Sequence, residues 1–367
     1  PPTVVVVGSK GKGTAATFAS ATLVAAGLRV GTVTSPGFRS NRERIRVDGR
    51  AIDVADYAAL ISRMMPALHD ATRSLPPGGY LAPTGLFTLM GIRHFIDAGC
   101  DAWVLEAGMG GGSDEVSLFT ADVLALTPVF DEHLGVIADT VTGIAVDKLG
   151  AASPATRTLV SAKQPDAEAA AVLQQWRGTH GDVQVAMIDA PPFDGMGWPG
   201  GLAAANAWVG VSAALSLLRI QGRQSPDAAR LRDVLATVRL PARLSTHARG
   251  AQRWVVDAGA NPAAAAAALR WCEAHNLVPD TVLVCIPDGK RIDATLETLR
   301  GHHVIPLRSD APHLQFSQWP GMLPSLAEAD VDILGEVVLA LGTISFAGEV
   351  LELLGVDTET AFELSPG

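Results

Sequence analysis

Cysteine is scarce in this chain, and tyrosine, lysine and long apolar runs are scarce with it. The three cysteines, Cys100, Cys272 and Cys285, sit in apolar surroundings without CxxC spacing. An odd number so placed argues against a disulfide framework and for reduced core residues over a metal or redox role, which predicts a cytoplasmic address. The longest apolar runs, such as Thr3–Gly8 and Val337–Leu341, fall far short of the ~20 residues that cross a bilayer, so no membrane partner is predicted. No basic segment followed by an apolar stretch opens the chain, so no signal peptide is predicted either. Positive charge is short as well. The net charge is −10 and no dense basic stripe exists, which argues against a nucleic-acid partner. Only Lys10, Lys12, Lys148, Lys163 and Lys290 are lysines among 28 basic residues. The positions that remain lysine therefore stand out, and two of them lie in one glycine-rich loop.

What is present is apolar and long. The chain has 367 residues, 48% of them apolar and 18% charged, with a mean hydropathy of +0.25. Such a composition belongs to a folded protein with large buried surfaces, and the length suits two domains. Thr3–Gly8 reads as a buried strand entering a glycine turn, Ala15–Ala26 as a helix and Leu28–Thr34 as a second strand. The alternation returns with a helix over Leu86–Ala98, strands at Ala102–Glu106 and Val123–Thr127, and helices at Thr140–Ala145 and Gly201–Ile220. Strands alternating with helices predict parallel βαβ units and a sheet covered on both faces. A boundary falls near Leu240–Gly250, beyond which a new alternation runs through Trp254–Asp257, Pro262–His275, Thr281–Ile286, Ile292–Leu299, Val304–Pro306, Val337–Gly342 and Glu349–Leu354. The expected organisation is a P-loop NTPase-like α/β domain with a mostly parallel sheet over 1–240. A smaller Rossmann-like α/β domain follows over 241–367. A monomer is the expected state.

Gly8-Ser9-Lys10-Gly11-Lys12-Gly13-Thr14 follows the first strand and precedes the first helix. Glycines there let the backbone curl so that successive N–H groups face phosphate oxygens, and the helix N-terminus adds partial positive charge. Lys12 can reach the β- and γ-phosphates, and the Thr14 hydroxyl can hold Mg²⁺. ATP binding is the expectation from these residues.

From here the chain resembles the folylpolyglutamate/dihydrofolate synthase branch of the Mur ligase superfamily. The loop is similar to that family's G-T-N-G-K-G-S. Val33-Thr-Ser-Pro-Gly-Phe38 and Asn41-Arg-Glu-Arg-Ile-Arg46 follow, where the family has T-S-P-H and N-E-R-I. Val104-Leu-Glu-Ala-Gly-Met-Gly-Gly111 resembles V-L-E-V-G-L-G-G, and Asp139-Thr-Val-Thr-Gly-Ile-Ala-Val-Asp-Lys-Leu-Gly150 resembles D-T-L-x-x-I-A-x-E-K-A-G. Later, Leu240-Pro-Ala-Arg-Leu244, Asp257-Ala-Gly-Ala-Asn-Pro262, Asp288-Gly-Lys290 and Gly342-Thr-Ile-Ser345 are similar to P-G-R-L, D-G-A-H-N-P, D-K-D and the last strand motif.

The resemblance implies transfer of the γ-phosphoryl group of ATP to a carboxylate, then attack of an amine, usually an amino acid, on the acyl phosphate. It implies two Mg²⁺ ions with Thr14, Ser35, Glu106 and His133 as ligands. Asp131 or Glu132 competes for the place of His133. Lys148 stands where the superfamily carries a carbamylated lysine, and catalysis is expected from Lys12, Lys148 and His133. Asn206 and Asn261 are expected at the nucleoside, and Arg243 at an ATP phosphate once the domains close. Asp257 and Asp288 are expected near the incoming amino acid.

Four departures bear on the substrate. The family's aromatic-Phe-Glu is here Thr84-Gly-Leu-Phe87, without the acid. G-G-R-x-D-A-T-N is Gly110-Gly-Gly-Ser-Asp-Glu-Val-Ser117, without the arginine. The histidine of H-N-P is Ala260, and Leu202-Ala203 stands for the H-Q before Asn206. They point to a small-molecule carboxylic acid other than a folate. The alternatives are a true dihydrofolate or folylpolyglutamate synthase adding glutamate, and a non-catalytic ATP-binding relative.

Overall fold

The computed structural model describes residues 1–132, 134–188 and 202–364. Two compact units divide the chain: one runs from Pro1 to Arg239 and resumes at Glu359, the other spans Leu240–Thr358.

The first unit is built on an eight-stranded sheet whose strands are β1 (Thr3–Val7), β2 (Val30–Val33), β3 (Ile45–Val47), β4 (Arg50–Ala51), β5 (Ala102–Glu106), β6 (Val123–Leu126), β7 (Thr158–Ala162) and β8 (Gln184–Ile188). Their order is β4-β3-β2-β5-β1-β6-β7-β8. From β2 to β8 the pairs are parallel, and β3 and β4 close one edge antiparallel. Every residue of β1, β5 and β6 is buried, as a parallel strand covered on both faces requires.

Helices cover both faces: α1 (Lys12–Ala25), α2 (Val54–Arg73), α3 (Pro83–Asp97), α4 (Val141–Leu149), α5 (Ala167–Thr179), α6 (Leu202–Ile220) and α7 (Ala228–Ala236). Val5, Val7, Leu105, Leu124 and Leu126 share one core with Phe95 of α3, Ile144 of α4 and Val172 of α5. The strand alternation sends Val4 and Val6 to the opposite face, where α1 and α6 pack on each other and on the sheet. Ala203–Ile220 is long and apolar enough to cross a membrane by length and composition. It is a core helix here, with Ala207, Trp208, Val211, Ala214 and Leu217 buried and Gly210 pressed on the Ala15 carbonyl, where a Cβ would come within 2.1 Å.

The second unit carries β9 (Arg243–Arg249), β10 (Gln252–Asp257), β11 (Thr281–Val284), β12 (Val304–Pro306) and β13 (Val337–Leu341) in the order β12-β11-β13-β10-β9, antiparallel only at β9. α8 (Pro262–Ala274), α9 (Ile292–Thr298) and α10 (Ile344–Leu353) accompany it. The three cysteines are buried and free, and burial pushes the thiols of Cys100 and Cys272 up to about 11 and that of Cys285 up to about 12.

Sequence reading missed α2, α5, α7 and the strands β3, β4, β7, β8 and β9. Of the 20 residues of α2 only Leu60 is buried and Pro66 interrupts the run, while β8 has no buried residue to mark it. Helix α1 begins at Lys12 rather than Ala15, so the glycine loop is itself the start of the helix.

The segment from Glu359 returns to the first unit. Ala51 donates its N–H to the Glu359 carbonyl at 2.9 Å, Ala361 to Gly49 at 2.9 Å, and Arg239 to Ala361 at 2.8 Å. Phe362, 2% exposed, anchors it against Gly49. Replacing Phe362 by Ala is expected to destabilise the first unit by about 3 kcal/mol through the cavity left behind. Chemical unfolding followed by tryptophan fluorescence measures it, and an unshifted midpoint would show that the segment adds nothing to the fold.

Candidate active site

Register sets the site. Val6 of β1 lies level with Glu106, the last residue of β5, and Val33 of β2 with Leu105. The chain leaving β1 at Gly8, the Glu106 side chain and Ser35 just past β2 therefore emerge along one carboxyl edge of the sheet, where open α/β sheets bind ligands.

The loop after β1 is braced from below. Gly8 has φ 139° and a Cβ there would lie 2.0 Å from the Thr127 hydroxyl oxygen, so no other residue fits. Ser9 donates its N–H to the Pro128 carbonyl at 3.0 Å, and its hydroxyl accepts from the Phe130 N–H at 3.1 Å. Gly11, at φ 87°, is the N-cap of α1, and the Asn206 amide nitrogen lies 1.8 Å from where its Cβ would stand. Asn206 is 4% exposed and its Oδ1 is a buried oxygen without a hydrogen bond. Lys12 curls back to give its Nζ to the Gly8 carbonyl at 3.0 Å, while Lys10 pairs with Glu132. Thr14 follows in the first turn, 5% exposed.

Glu106, 4% exposed, lies over Gly13, with both carboxylate oxygens 3.5–3.6 Å from where a Cβ would be. Its Oε2 accepts the Ser35 N–H at 2.9 Å. The Ser35 hydroxyl in turn accepts from Nη1 of Arg44 at 3.0 Å. Arg44 closes a short 3₁₀ turn, Asn41–Arg44, that the buried Glu43 organises by accepting the backbone N–H groups of Phe38 at 2.7 Å and Ser40 at 3.2 Å. Burial pushes the Arg44 guanidinium down from its ordinary value, against the pull of Tyr57 and Glu106.

Lys148 lies on the buried face of α4 with Ile144 and Ala145, 2% exposed. The glycine-rich loop after β5 passes so close over it that a Cβ on Gly111 would stand 2.5 Å from the Lys148 Cα. Asp147 holds that loop, its carbonyl accepting the Gly112 N–H at 2.6 Å and its Oδ1 the Ser113 N–H at 3.0 Å. Burial first, and the Lys12 charge second, push the Lys148 ammonium down to about 8.

Two groups at this edge escaped sequence reading. Arg44 was visible only as part of a motif. Glu115 lies so close to Gly85, in the first turn of α3, that a Cβ on the glycine would meet its Cδ at 2.3 Å. A glycine in a helix start followed some thirty residues later by Gly-Gly-Gly-Ser-Asp-Glu carries no signal that the two meet.

His133 lies outside the described residues. Of the remaining expected residues, Arg243, Asp257, Asn261 and Asp288 belong to the second unit. Arg243 is exposed at the start of β9 and donates Nη1 to the Ala242 carbonyl at 3.1 Å. Asp257 accepts the Leu244 N–H at 3.0 Å, and Asn261 caps α8 by accepting the Ala264 N–H at 2.9 Å. Asp288 accepts the Ser317 hydroxyl at 2.6 Å and the N–H groups of Ser317 and Gln318 at 2.9 Å, which together hold its carboxyl below the ordinary range. The asparagine and both aspartates thus serve local turns and caps.

The first-unit residues fit a nucleotide and a hard cation. The orphan Asn206 oxygen backs the loop and the N–H groups of α1 open onto it. Among the described residues no three His, Cys, Asp or Glu side chains cluster as a metal site. Thr14, Ser35 and Glu106 offer two hydroxyls and one carboxylate, the mixed oxygen set that Mg²⁺ shares with substrate phosphates.

Lys148 also makes a stability prediction. Unfolded, its amine titrates at 10.5; folded, at about 8. Between those values the unfolded chain holds a proton that the folded chain lacks, so stability rises as pH climbs from about 8 to 10.5 and the full cost is present below 8. Lys148→Met is expected to be more stable than wild type at pH 7, by up to about 3 kcal/mol, with the difference shrinking toward pH 10.5. Urea unfolding of both proteins across that range measures it. A difference that does not vary with pH would mean the amine is solvated.

No family model matches the chain. Over 172 residues, 46% of its length, it is 38% identical to a protein of Halobacterium salinarum named "Probable bifunctional folylpolyglutamate synthase/dihydropteroate synthase", of which the match covers 20%. Over 154 residues, 41% of its length, it is 34% identical to the dihydrofolate synthase/folylpolyglutamate synthase of Mycobacterium tuberculosis, of which the match covers 32%. The matches thus span a fifth to a third of these relatives. The fold is similar to that of the Mycobacterium tuberculosis folylpolyglutamate synthase complexed with ADP, with a TM-score of 0.80 at 24% identity over 97% of this chain and 91% of that one. The Thermotoga maritima folylpolyglutamate synthase superposes equally well, with a TM-score of 0.80 at 20% identity over 96% and 89%. By sequence over less than half of its length, and by fold over nearly all of it, the chain is similar to folylpolyglutamate and dihydrofolate synthases.

Proposed function

We propose that this chain is an ATP-dependent ligase that joins glutamate to a folate-type carboxylic acid through an acyl phosphate. One observation carries the reading: the buried Glu106 carboxylate stands over Gly13 of the phosphate loop and is tied to Ser35 on the neighbouring strand. A carboxylate and a hydroxyl facing a phosphate loop suit phosphoryl transfer, which needs positioning and charge neutralisation more than covalent help. The loop N–H groups and Lys12 would hold the β- and γ-phosphates. Thr14, Ser35 and Glu106 would hold Mg²⁺, which when bound neutralises charge on the transferring group. An oxygen of the acid attacks the γ-phosphorus while the bond to the bridging oxygen breaks and ADP leaves. The glutamate amine then attacks the acyl carbon, phosphate departs with the acyl C–O electrons, and the nitrogen loses a proton to water.

In the sequence alone, the missing acid of aromatic-Phe-Glu, the missing arginine of G-G-R and the altered H-N-P and H-Q motifs favour an acid other than a folate. The relatives favour a folate-type acid instead. Glu115 fills the space beside Gly85, so a carboxylate stands at the helix start although it comes from another loop. Relatives matched by sequence are named for dihydrofolate and folylpolyglutamate synthesis. ADP release is therefore expected with 7,8-dihydropteroate and glutamate together, and Lys12→Ala should abolish it while the fold stays intact. Release with some other acid alone would overturn the substrate, and no release with any acid would favour a non-catalytic relative.

The same reading gives Lys148 a modified form. With the ammonium lowered to about 8, close to a tenth of the amine is neutral at pH 7. The neutral nitrogen can attack carbon dioxide to form a carbamate with loss of one proton, turning a cation into an anionic oxygen donor. A carbamate resonance in carbon-13 spectra after labelled bicarbonate is added, absent in Lys148→Met, is the expected result. Identical spectra for the two proteins would refute it.

A further inference from the structure

The Arg44 side chain is held more firmly than a surface arginine's. Its guanidinium carbon lies 4.5 Å from the centre of the Phe87 ring, Nε donates to Asn41 Oδ1 at 3.1 Å, and Nη1 donates to Ser35 Oγ at 3.0 Å. A stacked face and two tethered nitrogens fix the plane of the fork. Among the described residues Nη2 has no hydrogen-bond partner and no carboxylate touches the group, Glu106 attracting it only through space. A half-buried guanidinium oriented this way is prepared for an anion from outside the protein.

Its place in the sheet says which anion. Strands β1, β5, β2 and β3 are neighbours in that order. At one edge they present the phosphate loop, the Glu106 carboxylate, the Ser35 hydroxyl and, because β3 runs antiparallel, the residue that enters it, Arg44. The cation thus lies beyond Glu106 and Ser35 as seen from the loop. In-line transfer puts the acceptor on the side of the γ-phosphate away from the leaving ADP. The neighbouring Arg42 and Arg46 turn to Ile52, Gly49 and Glu359 instead, so Arg44 is the arginine of this motif that faces Ser35.

We infer that Arg44 is a substrate-binding residue that receives the carboxylate of the acid substrate and aims one of its oxygens at the γ-phosphorus. Phe87 and Asn41 are positioning residues that act through it. The inference rests on the ligase reading above and names the residue that selects an ionised acid. Ser35 links the guanidinium to Glu106, so the acid's carboxylate and the phosphoryl group meet across one hydrogen-bonded pair.

The test compares 7,8-dihydropteroate with its primary carboxamide, which has the same shape without the charge. Calorimetry with Mg²⁺ and a non-hydrolysable ATP analogue gives the Kd of each. Wild type is expected to prefer the acid by about 30- to 100-fold, a preference that Arg44→Met abolishes while the carboxamide binds as before. Arg44→Lys keeps charge without the fork and should retain a preference of about tenfold. It carries the comparison alone if the methionine variant does not fold. An undiminished preference in both variants overturns the assignment, and so does equal weakening of acid and carboxamide, which would mark a structural role. ADP formation by wild type is measured alongside. Its absence with every acid defeats the functional reading and this assignment together, whereas normal wild-type turnover with unaltered variant selectivity defeats the assignment alone.

Discussion

The absence of side chains at two points of one loop is the constraint on which the rest depends. Gly8 turns against Thr127 and Gly11 against Asn206, each closer than any Cβ allows. That closeness lets β1 hand its chain directly to α1, so that the N–H groups of the first helical turn open at the carboxyl edge of the sheet. It also joins the loop to β6 on one side, through Pro128 and Phe130, and to α6 on the other. Residues more than a hundred positions apart are thereby held to the tolerance of a hydrogen bond.

Given that loop, strand register does the remaining positioning. Glu106 is useful because it ends β5 level with Val6, and Ser35 because Val33 is level with Leu105. Slipping a strand by one residue would send each side chain to the other face of the sheet. The fully buried valines and leucines of β1, β5 and β6 prevent this, since the cores on both sheet faces would be lost together. The geometry of the candidate site and hydrophobic burial are the same constraint seen from two ends of a strand.

Charge is arranged with comparable economy. Lys148 is kept under a glycine loop at a cost in solvation, and Arg44 is laid on an aromatic face with two hydrogen-bond tethers. Glu115 supplies a carboxylate to a helix start that has none of its own. Gly85 leaves room for Glu115, and Gly111 leaves room for the Lys148 backbone.

Local features carry part of this protein without further help. The β-branched run Thr3–Val7, the glycine loop and the alternation of apolar segments are short-range patterns, and they determine the α/β class, the phosphate loop and Glu106 at a strand end. The run of motifs from Val33 to Gly150 likewise determines the family resemblance. Strand β8, with no buried residue, left little pattern, whereas α2 carries an apolar stripe of Tyr57, Ile61 and Met64 that packs against the core and was legible in the sequence. Tertiary structure alone decided that Asn206 backs Gly11, that Asn261 caps α8 and Asp288 holds the Ser317 turn, and that Glu115 comes to lie beside Gly85 at the start of α3. It alone joined Arg44 to Ser35 and Phe87. A side chain's role follows from what it meets across the sheet, and sequence spacing does not encode which loops the strand order brings face to face.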